Sequence, residues 1–281
     1  MVLLYIMFIV NFADDSTVVT KAKTLLEASI TANLNLDKIY NWLCANRLKL
    51  NIDKTKFSIF TKKKVTWNPI IKINNCIIEQ THCSKLLGIF VDNKLNFSNH
   101  IKKVCSKLAY CGHILNKVDK SVNTKIKKQM YYAFAAPLIE YGISVYASTS
   151  YKQLHPLQVI QNMLIRSLSN KILPTNMLFK KLGILNIKQL FSMKLACYMF
   201  RAKHGNCPET IINKIYTESQ HSYRTRHKNL SKKPKFTKTI STKCLSWQAP
   251  SAWNELTTDI KNCNNYKKFK IMVKQYLLNS S

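Results

Sequence analysis

Apolar positions in the first 20 residues fall in two runs with a pair of acids between them. Val2 to Val10 is rich in β-branched and aromatic residues, Ser16 to Thr20 is a shorter β-prone run, and Asp14 and Asp15 stand between. That order predicts a hairpin with the acids at its bend. Asp is also an ordinary turn residue, so the pattern alone leaves a plain turn open. Residues 22–46 lack Gly and Pro and place Leu25, Leu26, Ile30, Leu34, Ile39 and Leu43 at mostly helical spacing, which predicts a helix. Residues 51–61 alternate and read as a strand. Ile70–Ile73 and Ile77–Ile78 flank Asn74-Asn75, a hairpin signal, and Leu86 to Val91 reads as one short strand carrying Gly88.

After Phe97 the period changes to that of helices. Segments 98–118, 122–147, 151–169 and 187–203 are amphipathic, with breaks near Asp119, Ser148–Ser150 and Pro174. In the first of them Ile101, Val104, Leu108, Cys111 or Gly112, and Leu115 form one stripe, and Lys102, Lys103 and Lys107 lie off it. Pro137 is expected to kink or split the second. From Gly205 the chain turns polar. No acid lies between Glu218 and Glu255, a stretch that holds Arg224, Arg226, Lys228, Lys232 and Lys233 with His221, Tyr223, His227, Phe236 and Trp247 interspersed. Tyr266 to Leu278 reads as a short amphipathic helix. The fold class expected is α+β, an N-terminal antiparallel sheet with one helix followed by a mostly α-helical remainder. The divisions fall at 1–95, 96–205 and 206–281.

Composition adds a partner. The chain has 281 residues, 46% of them hydrophobic, enough for a substantial core. Lys and Arg number 44 against 13 Asp and Glu, a formal charge of +31, yet only 20% of residues are charged, so the excess comes from missing acids. An aromatic content of 10% argues against a disordered polycation. A charge this large points to a polyanion, most simply nucleic acid. Arg occupies only positions 47, 166, 201, 224 and 226, and Lys, Asn and Ile share A/T-rich codons, so codon composition is a competing source of the excess. The nine cysteines include no C-x-x-C pair and no secretory leader is recognisable. They are expected to be reduced and mostly buried, in an intracellular protein of the nucleus or cytoplasm. The apolar run at Val2–Val10 is too short to span a membrane.

Phe12-Ala13-Asp14-Asp15 inside a hydrophobic hairpin resembles the active-site hairpin of reverse transcriptases. The blocks that follow resemble non-LTR retrotransposon enzymes in order. Asn46-Arg47-Leu48-Lys49-Leu50-Asn51-Ile52-Asp53-Lys54-Thr55 looks like the next block, and Lys85-Leu86-Leu87-Gly88-Ile89-Phe90-Val91-Asp92 looks like the primer grip. Pro137 to Gly142, Leu157 to Asn162, His221 to Arg226, Ala249 to Asn254 and Phe269 to Leu277 resemble the jockey-like members of that group. The resemblance implies half of a palm at 1–95, a thumb-like helical region at 96–205 and a basic C-terminal region at 206–281.

The function implied is RNA-directed DNA synthesis on an RNA template and a DNA primer or target, through two-metal in-line displacement. Asp14 and Asp15 would be the Mg²⁺ ligands, with Asp14 the stronger, and Lys54 would neutralise the leaving pyrophosphate. Leu87 and Gly88 would let the backbone approach the primer terminus. Lys102, Lys103, Lys107, Arg224, Arg226, Lys228, Lys232 and Lys233 would follow phosphate. The resemblance also places another catalytic aspartate and the nucleotide-binding fingers upstream of the hairpin, whereas none of the 13 residues before Asp14 is acidic. The chain is therefore expected to be the C-terminal part of such a polymerase and inactive alone. The competing expectation is a non-catalytic nucleic-acid-binding remnant. A translated relic without a selected role would instead expose apolar surface in the palm portion.

Overall fold

The computed structural model describes residues 6–61, 65, 67–118, 121–169, 173–216, 231–235 and 242–280. The chain divides into two compact units, Met1–Leu95 and Asn96–Ser281.

The first unit opens with a hairpin of β1 (Ile6–Phe12) and β2 (Asp15–Lys21), antiparallel, in register from Ile6 opposite Lys21 to Phe12 opposite Asp15. Helix α1 (Leu25–Ala45) begins on a capping box. The Glu27 N–H donates to Thr24 Oγ1 at 3.2 Å, and the Thr24 N–H donates to Glu27 Oε2 at 3.3 Å, which satisfies two donors the first turn would leave orphaned. The expected hairpin at Asn74-Asn75 forms between β4 (Lys72–Ile73) and β5 (Cys76–Ile77). Both asparagines have positive φ, 45° and 62°, the shape of a type I′ turn that Asn tolerates. Asn33 on α1 clamps this hairpin. Its Nδ2 donates to the Ile70 carbonyl at 3.2 Å and its Oδ1 accepts from the Lys72 N–H at 2.9 Å. Beneath the clamp Ile71, Ile73 and Ile78 are buried against Ala32, Leu36 and Tyr40 of α1, with Leu50 and Phe57 alongside.

Two expectations for this unit are corrected. Residues 51–61 are not one strand. Asn51 accepts the Lys54 N–H on its Oδ1 at 3.2 Å and the Thr55 hydroxyl on its carbonyl at 2.8 Å, and these local bonds wind 51–55 into a turn. Only β3 (Lys56–Phe57) remains, and it pairs in parallel with β6 (Glu79–Gln80). The segment 86–91 is likewise a hairpin of β7 (Cys83–Leu86) and β8 (Ile89–Asp92), turning at Leu87-Gly88. The described strands thus form four separate two-stranded ladders, three antiparallel and one parallel. Mixed α and β content agrees with the α+β class.

Much apolar surface in this unit stays open. Leu26, Ile30 and Leu34 recur every fourth residue on α1 and are exposed, as are Phe8, Ile9, Val10, Phe12 and Val19 of the β1–β2 hairpin. The buried residues of α1 are the polar Ser29 and Thr31.

The second unit is helical. Its elements are α2 (Ser98–Lys117), α3 (Thr124–Met130), a π-helical turn at Tyr131–Ala135, α4 (Ala136–Glu140), α5 (Ile143–Tyr146) and α6 (Tyr151–Ser167). Then follow α7 (Thr175–Leu182), α8 (Ile187–Lys203), α9 (Glu209–Ile215), α10 (Leu245–Asn254), α11 (Thr258–Lys261) and α12 (Tyr266–Asn279). The expected helix over 122–147 is broken where Pro137 lacks an N–H. The widened π turn precedes it, α4 carries it in its first turn, and Gly142 at φ 67° ends the run. The predicted stripe Ile101, Val104, Leu108, Cys111 and Leu115 is the buried face of α2. It packs on α6, where a Cβ added to Gly112 would stand 3.3 Å from Leu164 Cδ2. A second core joins Leu195, Met199 and Phe200 of α8 to Ala249 and Trp253 of α10 and to Phe269 and Val273 of α12. The described part of 206–281 is therefore packed structure, where the sequence reading found only the last helix.

Polar groups in this unit mostly find partners. Buried Gln161 donates through Nε2 to Tyr131 Oη at 3.1 Å and to the Leu185 carbonyl at 3.0 Å, and the Tyr146 hydroxyl donates to the Ile139 carbonyl at 2.5 Å. Burial pushes the Tyr131 hydroxyl up to about 12. The cysteines are free thiols, but only Cys111 and Cys197 are buried, so the expectation of mostly buried cysteines fails.

Among the described residues the buried side chains without a hydrogen-bond partner are Ser231, at its hydroxyl, and His100. His100 is 5% exposed, its ring lies 4.9 Å from that of Tyr146, and neither ring nitrogen has a hydrogen-bond partner among the described residues. Desolvation first, then Lys103 and Lys107, hold its pKa below the ordinary 6.5. A histidine depressed on folding contributes stability above its unfolded pKa, and that stability is lost as pH falls through the folded value. The melting temperature is expected to fall between about pH 7.5 and 5 by more in the native chain than in His100→Phe. Equal acid sensitivity in the two would contradict it.

Candidate functional site

The acids at the first hairpin sit on a two-residue loop, Ala13-Asp14, closed by the pair Phe12 and Asp15. Ala13 has φ 52°, while Asp14 does not have positive φ. A positive φ at the first loop position only is the type II′ shape, which favours Gly there. Asp14 and Asp15 are both exposed, and neither pairs with Lys or Arg among the described residues. Carboxylate oxygens are the donors a hard divalent cation such as Mg²⁺ takes, one or two from the protein, with water and phosphate oxygens completing its shell, and Asp14 and Asp15 supply that donor type for one ion. They do not fit two. A pair of ions about 3.5–4 Å apart needs further carboxylate oxygens. Among the described residues no third His, Cys, Asp or Glu gathers with any two others.

The other residues singled out in this unit lie on other elements. Lys54 is exposed in the turn that Asn51 organises and forms no ion pair with Asp14 or Asp15. Leu87 and Gly88 form the turn between β7 and β8, with φ 45° and 83°. Positive φ at both central positions is the type I′ shape, for which Asn-Gly is the favoured sequence. Leu87 thus holds a left-handed conformation costly to a side chain, while its own side chain is 40% exposed.

In the second unit Lys102, Lys103 and Lys107 lie on the exposed face of α2, a helix without a single acid. Tyr110, 68% exposed, follows Lys103 and Lys107 on the same face, with Lys117 two turns beyond. The sequence reading missed Tyr110. Its spacing of three from Lys107 and seven from Lys103, off the apolar stripe, was the available signal. Lys232 and Lys233 are exposed in the described stretch 231–235, and Lys233 Nζ stands 5.3 Å over the Trp247 ring. Asn254 pins that stretch to α10, accepting the Ser231 N–H at 2.9 Å and donating Nδ2 to the Ser231 carbonyl at 3.0 Å. Arg224, Arg226 and Lys228 lie outside the described residues.

No family model and no solved structure matches the chain. Its curated relatives are non-LTR retrotransposon RNA-directed DNA polymerases of the jockey, BS and X-element types. It is 27% identical over 165 residues to the RNA-directed DNA polymerase from mobile element jockey of Drosophila melanogaster, and 28% identical over 168 residues to that of Drosophila funebris. A probable RNA-directed DNA polymerase from transposon BS of Drosophila melanogaster is 26% identical over 167 residues. Each alignment takes in 57% of this chain and 18% of the relative, so the chain spans under a fifth of the length of the relatives it matches. Among the described residues no helix is long and apolar enough to cross a membrane.

The left-handed Leu87 yields a direct expectation. Leu87→Asn should slow amide exchange across Cys83–Asp92 by roughly fivefold, the equivalent of about 1 kcal/mol of relieved strain. Faster exchange would mean that the Leu87 side chain anchors the turn.

Proposed function

We propose that this chain is a segment of a jockey-type non-LTR retrotransposon reverse transcriptase. Residues 1–95 are the C-terminal half of its palm, 96–205 its thumb-like helical region and 206–281 a basic C-terminal region. The observation that carries the reading is the Asp14-Asp15 pair, unpaired and exposed on a two-residue hairpin, in a chain whose curated relatives are RNA-directed DNA polymerases. In the whole enzyme Asp14 and Asp15 contribute to holding Mg²⁺, which would supply charge neutralisation at the transferred phosphate. Lys54 neutralises leaving pyrophosphate, and the strained Leu87-Gly88 turn brings backbone to the primer terminus. The substrates are an RNA template and a DNA primer or target, in the nucleus or cytoplasm.

The 281 residues by themselves bind nucleic acid and do not polymerise. Two features support this. The acidic pair lacks a further carboxylate among the described residues, so the two-ion arrangement is incomplete. The exposed face of α2 combines lysines with an exposed tyrosine, the pairing that follows phosphate and stacks bases without chemistry.

Purified chain supplied with Mg²⁺, primed RNA template and deoxynucleotides should show no primer extension. Extension above a D14N control would contradict this. Binding to single-stranded RNA should weaken steeply with salt, and K102Q/K103Q/K107Q should reduce the slope of log affinity against log salt by about 2. A slope unchanged in that variant would remove α2 from the interface.

A further inference from the structure

Helices α8 and α12 run antiparallel, tied at both ends. Gln189 Nε2 donates to the Leu277 carbonyl at 2.6 Å, and Arg201 Nη2 donates to Tyr266 Oη at 3.2 Å. Neither helix contains an acid. At the Gln189 end one cation is neutralised from outside the pair, because Lys194 Nζ meets Glu140 Oε2 at 2.7 Å. The Arg201 end has no such relief. Arg201, Lys203, Lys267, Lys268 and Lys270 are all exposed, and none pairs with a carboxylate among the described residues.

Neutral groups hold these cations in place instead. The Arg201 guanidinium lies 5.1 Å over the Tyr266 ring and Lys270 Nζ 5.8 Å from the same ring. Lys203 Nζ donates to the Lys261 carbonyl at 2.9 Å and sits 6.0 Å from the Trp253 ring. Such partners fix position and leave the charge available. Helix stability accounts for Arg201 and Lys203, which stand at the negative end of α8, but not for Lys267 and Lys268. Those two lie in the first turn of α12, where no acid is present and the helix dipole opposes a cation.

We propose that this end of the α8–α12 pair is a second phosphate-backbone face for nucleic acid, separate from the face of α2. Arg201 spends one donor on Tyr266 and keeps the rest of its planar fork for phosphate oxygens. Lys203, Lys267, Lys268 and Lys270 add point charges along the strand. The proposal rests on the nucleic-acid-binding half of the function proposed above and does not require the polymerase half.

The test is fluorescence anisotropy of the full 281-residue chain with a labelled single-stranded RNA and, separately, a labelled DNA duplex, titrated between about 50 and 200 mM KCl. R201Q/K203Q/K267Q/K268Q should lose at least about tenfold in affinity at the lower salt and reduce the salt slope by about 3, for RNA and DNA alike. K125Q/K152Q/K180Q/K214Q removes the same charge from exposed lysines elsewhere in the unit and should change the slope by less than half as much. K267Q/K268Q should bind more weakly while melting no lower than the native chain, because it removes cations from the wrong end of a dipole. An equal loss in the scattered control, a loss confined to RNA or to DNA, or full binding by K267Q/K268Q would each overturn the proposal. Loss in K102Q/K103Q/K107Q with none in R201Q/K203Q/K267Q/K268Q would overturn it and leave the function proposed above standing.

Discussion

Thirteen acids against 44 bases leave this chain too few carboxylates to neutralise its own cations. Most of the structure is arranged around that shortage. Two ion pairs form among the described residues, Lys56 with Glu79 and Lys194 with Glu140, and both are partly exposed, where such pairs contribute little. Elsewhere cations rest on aromatic rings and on carbonyls, as Arg201 does on Tyr266 and Lys203 on the Lys261 carbonyl. Even Lys261, buried and with its pKa lowered by desolvation, is held by the Asn254 carbonyl at 3.1 Å and not by an acid. Against that scarcity, Asp14 and Asp15 stand side by side on an exposed hairpin tip and pair with no Lys or Arg among the described residues.

The two units solve burial differently. The second closes around α2, α6 and α8 with full-length stripes of apolar residues. The first closes on three buried isoleucines and a side-chain clamp from Asn33, and leaves the apolar side of α1 and both faces of the β1–β2 hairpin open. Exposed, contiguous apolar positions of this kind mark surfaces that need a covering partner or that aggregate.

Legibility in the sequence followed the length of each periodic signal. The stripe from Ile101 to Leu115 and the helix at 187–203 span several turns, and their period could not be mistaken. The hairpin turns at Ala13-Asp14 and Asn74-Asn75 carried turn residues between β-prone runs. The turn at Leu87-Gly88 did not announce itself, because an apolar residue occupies a left-handed position and makes two strands read as one. At 51–55 the alternation was real but Asn51 captured the backbone locally. Helices α9 to α11 are short and follow a polar stretch, so Ile215, Trp253 and Ile260, which carry their buried faces, form no long periodic signal. At the candidate site the residue types were legible, whereas the lack of a third acid beside Asp14 and Asp15 among the described residues is a property of the fold that no local pattern carries.

The central proposal is that Asp14 is a metal ligand in a reverse transcriptase of the jockey type. The most direct measurement replaces the matching segment of the Drosophila melanogaster jockey polymerase with this chain and assays Mg²⁺-dependent DNA synthesis on an RNA template. Synthesis by the chimera that D14N abolishes, with the chimera still folded and still binding RNA, is the predicted result. A folded chimera that is inactive, or one that remains active with D14N, would contradict it.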